Sequence, residues 1–270
     1  MLLIEAASRA LVLAVRRRRG RALADATRKA EMALAAAFRK QGKLLLDALP
    51  ALKGQFTEAL REGTAEDFEP LINRAELATL DVVEKPLKDL MRESLTKGAR
   101  VGIADLKATI RFDLAHPVAV AYVEDYGADL VRAINETTRS RVRAIVSRAV
   151  EEGWSYNATA KELTDLYQGF AVGKPQLHID SRAHLIAVQE AGQAYEAGTM
   201  LVGQELAALG LEVEKSWLAI GDDRTSELCR NNAAAGWISI DASYPSGHER
   251  PLGHVACRCC GLTRMAPDAD

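Results

Sequence analysis

The stretch VRAINETTRSRVRAIVSRA, residues 131–149, decides the fold class of this chain. Its apolar members recur every 3 or 4 residues while arginine and glutamate occupy the other face, and this period is that of an amphipathic helix. The apolar stripe consists of Val131, Ile134, Val142, Ile145 and Ala149, with Thr138 filling the gap. We therefore predict a helix from about Val118 to Glu152, with Gly153 as its C-terminal stop.

The segments before this helix carry the same kind of pattern. Residues 1–60 predict helix with an interruption at residues 16–21, where five arginines flank a glycine. Helical patterning continues from about residue 66 to residue 107. We expect Pro86 at the start of a helical segment, where its missing N–H costs little.

The segments after it predict two more helices and then a change of period. Asn157 is the predicted N-cap of the first helix, which gives way to a loop at Gly169. Asp180 is the predicted N-cap of the second, which Gly210 closes. Beyond it, apolar Leu211, Val213 and Trp217 alternate with polar Glu212, Glu214 and Ser216, which is typical of a half-buried strand.

Composition favours the same fold class. Apolar residues make up 48% and charged residues 27% of the 270 positions, which is ordinary for a globular protein and argues against global disorder. Only 5% of the chain is aromatic and alanine is abundant, so burial through helix–helix contacts is expected. No segment has the run of roughly 18 apolar residues that a membrane span requires. We predict a mainly α fold, with a long-helix N-terminal and central body and a small, loop-rich α+β subdomain at the C-terminal end.

Three regions are predicted along the chain. Residues 1–117 form a helical N-terminal region with the basic segment, residues 118–210 a central helical part, and residues 211–270 the small α+β subdomain. All four cysteines fall in the last of these, three of them within four positions, which favours a local metal site over a disulfide framework.

The most specific pattern lies in this last region, in WLAIGDDRTSELC at residues 217–229 and PLGHVACRCC at residues 251–260. The imidazole of the second segment precedes one thiol by three positions and another by five, so a tight turn can aim all three at one point. A thiol from the first segment can complete a tetrahedral Cys3His set, which stabilises a small domain whose apolar core is thin. The predicted zinc ligands are Cys229, His254, Cys257 and Cys259.

Three other interpretations of these residues stay open. Cys229 could form a disulfide with a later cysteine, the thiols could be buried and reduced, or His254 could cap a turn and bind no metal. Cys260 is not a predicted ligand, because adjacent residues project in different directions.

Together these segments resemble the C-terminal domain of Mu F-like phage head-morphogenesis proteins. The resemblance rests on the order of Trp217, Asp222-Asp-Arg, a cysteine, a glycine and then Pro-x-x-His-x-x-Cys-Arg-Cys. RAHLIAVQE at residues 182–190 resembles a helix of that family that ordinarily contains Ile-Ala-Arg-Thr-Glu, with Val188 and Gln189 replacing the Arg-Thr pair. EEGWS at residues 151–155 resembles its Glu-Gly-x-Ser turn, so the similarity spans roughly residues 120–264. The family often has two cysteines or a histidine near the Asp-x-Arg segment, where this chain has only Cys229.

The resemblance implies a non-enzymatic minor head protein of a tailed phage or prophage, present in few copies. It implies association with the portal protein, or with capsid or scaffolding protein, in the head interior or at the portal vertex, after assembly in the host cytoplasm without a membrane step. Within the motif we expect Trp217 to be a packing anchor and Asp223 and Arg224 to brace the turn that precedes Cys229.

The N-terminal arginines form a second candidate site. Residues 1–60 carry 12 Lys/Arg and 5 Asp/Glu, a net charge of +7, so the rest of the chain carries −9 of the total of −2. Such asymmetry favours either a nucleic acid or an acidic protein partner, although a solvated helix face would look the same. The predicted contacts to double-stranded DNA or portal are Arg16, Arg17, Arg18, Arg19 and Arg21, without base specificity because no aromatic residues interleave them.

An enzymatic alternative is a zinc-dependent nuclease or another DNA-processing enzyme of a prophage. Asp222, Asp223 and Glu227 lie near His254 in the motif, and carboxylates with a histidine can hold a catalytic metal. Four protein ligands would close the coordination sphere, however, and the chain has no Gly-rich phosphate loop, no Gly-x-Ser-x-Gly and no His-Glu-x-x-His.

Overall fold

The computed structural model describes residues 2–48, 73, 80–171 and 182–267, and most of these residues are helical. In chain order the elements are α1 Leu2–Ala48, α2 Leu80–Asp105, α3 Pro117–Ala121, a π-helical turn Tyr122–Tyr126, α4 Gly127–Glu151, α5 Tyr156–Ala171, α6 Arg182–Ala208, β1 Val213–Leu218, α7 Glu227–Ala234, β2 Trp237–Ser239 and β3 Cys260–Met265. The predicted mainly α fold is confirmed. None of the described helices is long and apolar enough to cross a membrane.

The helix predicted from residue 118 to residue 152 is present as α3, the π-helical turn and α4 in succession. Every member of its predicted stripe is buried: Val131, Ile134, Thr138, Val142, Ile145 and Ala149. Thr138 fits on this face because its hydroxyl donates to the carbonyl of Ile134 at 2.9 Å. The guanidinium of Arg182 donates to the same carbonyl at 2.6 Å, which fastens the start of α6 to α4.

The helix ends follow local chemistry, with one correction. Gly153 has φ +66° and the N–H of Trp154 donates to Ala149 O at 2.8 Å, so Gly153 is the C-terminal stop that the sequence predicted. The predicted N-cap Asn157 is wrong: α5 already begins at Tyr156, and the hydroxyl of Ser155 accepts from the N–H of Ala158 at 3.2 Å. A serine directly before the first turn is an equally good cap, and the Gly-Trp-Ser sequence places it two residues earlier.

Further on, α5 extends to Ala171, past the loop predicted at Gly169. The predicted cap Asp180 lies outside the described residues. Gly210 has φ +85° and closes α6 as expected.

Two predictions about where helices break and begin are wrong, the interruption at residues 16–21 and the helix start at Pro86. α1 runs without a break through residues 16–21, because arginine is a good helix former and the single Gly20 costs only about 1 kcal/mol. Pro86 lies inside α2 and does not start it. Val83, Leu87 and Leu90 are buried on both sides of Pro86, and this packing offsets the roughly 3 kcal/mol that an internal proline costs a helix.

The chain forms two compact units. One comprises Met1–Thr27, Asp89–Val123 and Ala187–Asp270, and the other comprises Arg28–Lys88 and Glu124–Ile186. The domain boundaries drawn from the sequence stay a prediction.

Within the first unit, α2 and α6 approach so closely that only glycine fits at the crossing. A Cβ atom on Gly98 would lie 1.9 Å from the carbonyl oxygen of Tyr195, and a Cβ atom on Gly198 would lie 2.0 Å from that of Leu95. Backbones this close leave no room for a side chain between them. The crossing therefore fixes the position of α6, against which the small sheet packs.

The sheet of the first unit has the order β2-β1-β3, with both pairs antiparallel. β1 is the strand predicted by alternation, and its Val213 and Trp217 are buried as expected. In the register, Lys215 of β1 is paired with Ile238 of β2 and with Thr263 of β3. The segment between β2 and β3 carries the second half of the Cys/His pattern, so closure of the sheet brings that segment beside α7.

Candidate metal centre

Short local structures position the cysteines and the histidine. Ser226 is the N-cap of α7, and its hydroxyl accepts from the N–H of Cys229 at 3.2 Å, which places Cys229 in the first turn of the helix. On the opposite segment, the N–H of Cys257 donates to His254 O at 3.1 Å and closes a tight turn. Ala256 adopts a left-handed φ of +59° within this turn. The turn therefore carries the imidazole and the thiol of Cys257 to the same side.

The distances among three of the predicted ligands fit a metal ion. Cys229 Sγ lies 3.6 Å from Cys257 Sγ and 3.4 Å from His254 Nε2, and the three atoms are within 4.8 Å of one another. A tetrahedral zinc ion with Zn–S bonds of about 2.3 Å and a Zn–N bond of about 2.0 Å separates two sulfurs by about 3.8 Å and sulfur from nitrogen by about 3.6 Å. The three atoms are therefore spaced closely enough to hold a metal ion, and all four cysteines are free thiols.

His254 is held in the tautomer that a metal needs. Its Nδ1 lies 3.0 Å from the carbonyl oxygen of Val255, and because a carbonyl only accepts, Nδ1 carries the proton. In the neutral imidazole this leaves the lone pair of Nε2 pointing at the Cys229 sulfur and at the hydroxyl of Ser226, 3.1 Å away. Orientation by a backbone carbonyl on the far nitrogen is the usual second contact of a metal-bound histidine.

The electrostatics single out one thiol as an anion. A hydrogen bond from the Cys259 thiol, together with the N–H of Cys259, a hydrogen bond from Cys229 and the nearby His254, lowers the pKa of Cys257 to about 5 against burial. Contact with the Cys257 sulfur and burial raise the pKa of Cys259, and burial raises that of Cys229. Cys257 is therefore the most acidic of the three thiols, and the thiolate is the form in which cysteine binds zinc.

The other two cysteines differ in their placement. Cys259 is buried in the same apolar cluster as Cys229 and Cys257, although the group within 4.8 Å contains only three ligand atoms. Cys260 is buried in another cluster, against Val12 and Ile220. Its predicted exclusion from the ligand set agrees with this placement, since adjacent residues at the start of β3 face opposite ways.

A known protein family matches the part of the chain that contains this site. Residues 140–261 match the family model described as phage Mu protein F like protein. We call residues 140–261, which are similar to that family, the Mu F-like region. It covers somewhat less than half of the chain and falls inside the span of 120–264 expected from the sequence, and it includes all the candidate ligands. No curated protein and no solved structure matches the chain.

The turn before α7 in the Mu F-like region is braced by Asp222. It accepts two hydrogen bonds from Arg258, at 2.6 and 2.7 Å, and one from the Thr225 hydroxyl at 2.9 Å. These contacts, together with a backbone hydrogen bond from Arg224, hold the pKa of Asp222 well below its usual range. The side chains of Asp223 and Arg224 are exposed, and the bracing role predicted for these two residues stays a prediction. The Cys-Arg-Cys order could have indicated Arg258, because an arginine between two inward thiols points away from them toward the turn.

Trp217 anchors the Mu F-like region as expected. It is almost fully buried, it packs in the cluster with Cys229, Cys257 and Cys259, and its ring meets that of Tyr244 edge to face with centroids 5.2 Å apart. The cysteines thus lie against a large aromatic surface that excludes water.

The N-terminal arginines do not form a single exposed surface. Arg17 and Arg21 are exposed, whereas Arg18 forms a bidentate ion pair with Asp105 at 2.8 and 3.0 Å. Arg19 is buried and donates to Glu196 at 2.6 Å and to Cys259 O at 3.0 Å. Arg16 is half-buried, and burial lowers its pKa. Arg19 thus joins α1 to the Mu F-like region, a role that sequence reasoning missed.

Proposed function

We propose that this chain is a minor head protein that acts in phage head morphogenesis, bound to the portal protein or to the inner capsid. The single observation that carries the proposal is the phage Mu F-like match over residues 140–261. The protein is then located in the virion, in the head interior or at the portal vertex, after assembly in the host cytoplasm. Its protein partners are the portal protein and capsid or scaffolding protein.

The proposed role of the Cys/His centre is structural. A zinc ion held by Cys229, His254 and Cys257, with Cys259 as the fourth ligand, would join α7 to the segment before β3. The 3.6 Å and 3.4 Å separations and the tautomer of His254 support this assignment. When bound, the zinc supplies a cross-link between two segments whose shared core is a single small apolar cluster.

A non-enzymatic role is part of the same proposal. Of the three carboxylates that a zinc nuclease could use, Asp222 is occupied by two hydrogen bonds from Arg258, whereas Asp223 and Glu227 are exposed. Three of the sulfurs and the aromatic ring of Trp217 share one buried cluster, so the centre is open to solvent on the side of the exposed His254 and closed on the side of the thiols. This favours a structural centre over the alternative of a zinc-dependent nuclease.

The proposed contact with portal or with packaged double-stranded DNA rests on the exposed arginines of α1. Arg17 and Arg21 are four positions apart, so both side chains leave the same face of the helix. Arg18 and Arg19 are committed to Asp105 and Glu196, so they contribute little to that face. The interaction is electrostatic and independent of base sequence.

A pull-down with purified portal protein tests the proposed function. The full chain should be retained by portal, and R17A/R21A should weaken retention several-fold while leaving the fold intact. R100A, which removes an exposed arginine elsewhere, is the matched control. Duplex DNA retention measured over a salt series separates the two partners, because loss of two phosphate contacts should reduce the slope of log K against log salt by about 2. If the double variant keeps both portal retention and the DNA salt slope, the contact proposal is wrong.

Metal analysis tests the zinc assignment and the enzymatic alternative together. The purified chain should contain one zinc per molecule, and H254A should contain none. C260A, which alters a buried cysteine outside the cluster, should keep the metal. Zinc-dependent cleavage of DNA that stops on addition of a chelator would favour the nuclease instead.

A further inference from the structure

A buried lysine occupies the inward-facing row of the central strand. Lys215 lies on β1 between Val213 and Trp217, whose side chains face the same way and belong to two apolar clusters. Only 4% of its surface is exposed. Lysine is almost never this buried unless it is paired, because the ammonium loses its hydration.

The ammonium of this lysine and two nearby hydroxyls have no hydrogen-bond partner among the described residues. Lys215 Nζ, the hydroxyl of Tyr244 and the hydroxyl of Thr263 are all buried without a hydrogen-bond partner in that part of the chain. Thr263 is the register partner of Lys215 on β3, so the two side chains stand side by side on one face of the sheet. The ammonium lies 5.6 Å from the centre of the Tyr244 ring. Three groups without a hydrogen-bond partner among the described residues therefore line one pocket, and each such group costs free energy when it is left unpaired.

Lys215, Tyr244 and Thr263 line one open pocket. Arg250 adds a second positive charge to its wall, and its Nε is also without a partner among the described residues. Of the two carboxylates in the wall, Glu196 is neutralised by Arg19, and Glu249 is exposed to solvent. The pocket is thus rich in donors, and its buried end carries the positive charge of Lys215.

We propose that this pocket binds a carboxylate group, with Lys215 as its counter-ion and the hydroxyls of Thr263 and Tyr244 as neutral donors. One carboxylate satisfies all three, since its two oxygens accept about four hydrogen bonds. A dianion such as phosphate is disfavoured because Glu249 stands in the same wall. Burial lowers the pKa of Lys215, with Arg250 acting in the same sense and Glu249 and Asp241 opposing it, and a bound carboxylate would offset that cost. The proposal is independent of the role in head assembly.

The carboxylate can come from two sources, a free small acid or an acidic side chain of a partner protein. The probes are therefore sodium acetate and N-acetyl-glutamate amide, added to the isotopically labelled full chain while backbone amide shifts are recorded. Both sources should give saturable shifts at residues 215 and 263, whereas chloride at equal ionic strength should not. Binding of acetate alone would assign the pocket to small acids, and binding of both would assign it to protein side chains as well.

Variants make the test specific. K215M keeps the length of the side chain and removes the charge, so acetate should bind at least about 10-fold more weakly, the value expected for loss of a charge-assisted hydrogen bond. T263V removes one hydroxyl and should weaken binding several-fold, which keeps the test informative if K215M fails to fold. K161M, which alters an exposed lysine of the other unit, should bind as the unaltered chain does. The proposal is wrong if the chain shows no saturable shift, if phosphate binds more tightly than acetate, or if K215M and T263V both bind unchanged.

Discussion

Replacing Arg19 by methionine should destabilise the first compact unit severely. The side chains of Arg19 and Glu196 are only 12% and 4% exposed, and their 2.6 Å hydrogen bond is the main compensation for burying both charges. In R19M the carboxylate of Glu196 keeps a single donor, the N–H of Gly261 at 3.0 Å. Removing one partner of a buried ion pair costs about 3–5 kcal/mol of folding free energy, because the other charge is left uncompensated.

The double variant R19M/E196Q distinguishes this cause from lost packing. A neutral amide in place of Glu196 is no longer an unpaired charge, so the double variant should be more stable than R19M by about 1 kcal/mol or more. R17M is the matched control, since it removes an exposed arginine of the same helix and should change stability by less than about 0.5 kcal/mol.

Urea unfolding followed by tryptophan fluorescence measures these differences. Trp217 and Trp237 belong to the first unit and Trp154 to the second, so a W154F background restricts the signal to the unit that contains the ion pair. The free energy of unfolding follows from the linear dependence on urea. A loss in R19M of under about 1 kcal/mol would refute the buried pair.

The pH dependence of R19M has a definite sign. Burial raises the pKa of Glu196 even with Arg19 present, although the arginine opposes that shift, and its removal should raise the pKa further. A carboxyl whose folded pKa lies above its unfolded value binds its proton more tightly when folded, so its contribution to stability is greatest at low pH and is lost as the pH rises through the folded pKa. The deficit of R19M relative to R17M should therefore shrink as the pH falls from 7 toward about 4.3, the unfolded pKa of glutamate. A deficit that does not depend on pH would contradict the assignment.

Three further predictions concern the glycine crossing, the turn and the metal. G198A should destabilise the chain by about 1–3 kcal/mol or more, because its Cβ would lie 2.0 Å from a carbonyl oxygen of α2. Thermal unfolding checks this, with G20A as a control that has open space at its Cβ and should gain about 0.5–1 kcal/mol. D222N should lose stability at neutral pH, and the difference from the unaltered chain should begin to shrink as the pH falls below about 4, the unfolded pKa of aspartate, and should disappear only as the pH falls through the much lower folded pKa that Arg258 gives Asp222. A titration by circular dichroism that shows the same difference at pH 3 and pH 7 would argue against it. Chelator treatment, or C257S, should release the zinc and expose the last fifty residues to limited proteolysis while α4 stays protected. Unchanged proteolysis without metal would remove the structural role of the centre.

The sequence was sufficient for the features that depend on local period. The stripe of α4, the alternation of β1 and the spacing of His254 and Cys257 all follow from residues close together in the chain, and each has the structure expected of it. The errors at the N-cap of α5 and at Pro86 have a different origin. At each of these positions the sequence carried two competing local signals for where a helix begins, and tertiary packing decided between them.

The buried ion pair could not be predicted, because its partners are 177 residues apart. One signal was nevertheless present. Arg19 follows Val12 and Val15 at helical spacing and precedes Leu23 and Ala26, all of them buried, so it falls within the apolar stripe of α1. Counting charges across residues 16–21 grouped it with its exposed neighbours, whereas helical spacing separates it from them.

Lys215 is likewise a charged residue within a buried apolar row, in this case of a strand. It stands in the inward row of β1, between two apolar residues, where alternation calls for a hydrophobic side chain. A residue that breaks a strong local pattern at a buried position is a reason to look for function there.

The most direct test of the account is whether the chain is part of the phage head. Lysates from cells that produce phage would be fractionated on a density gradient, and the chain would be quantified by mass spectrometry in the fractions that contain portal and major capsid protein. The account predicts that the chain sediments with heads, at a few copies for each portal ring. Recovery of the whole pool as free protein at the top of the gradient, with complete heads formed without it, would contradict the account.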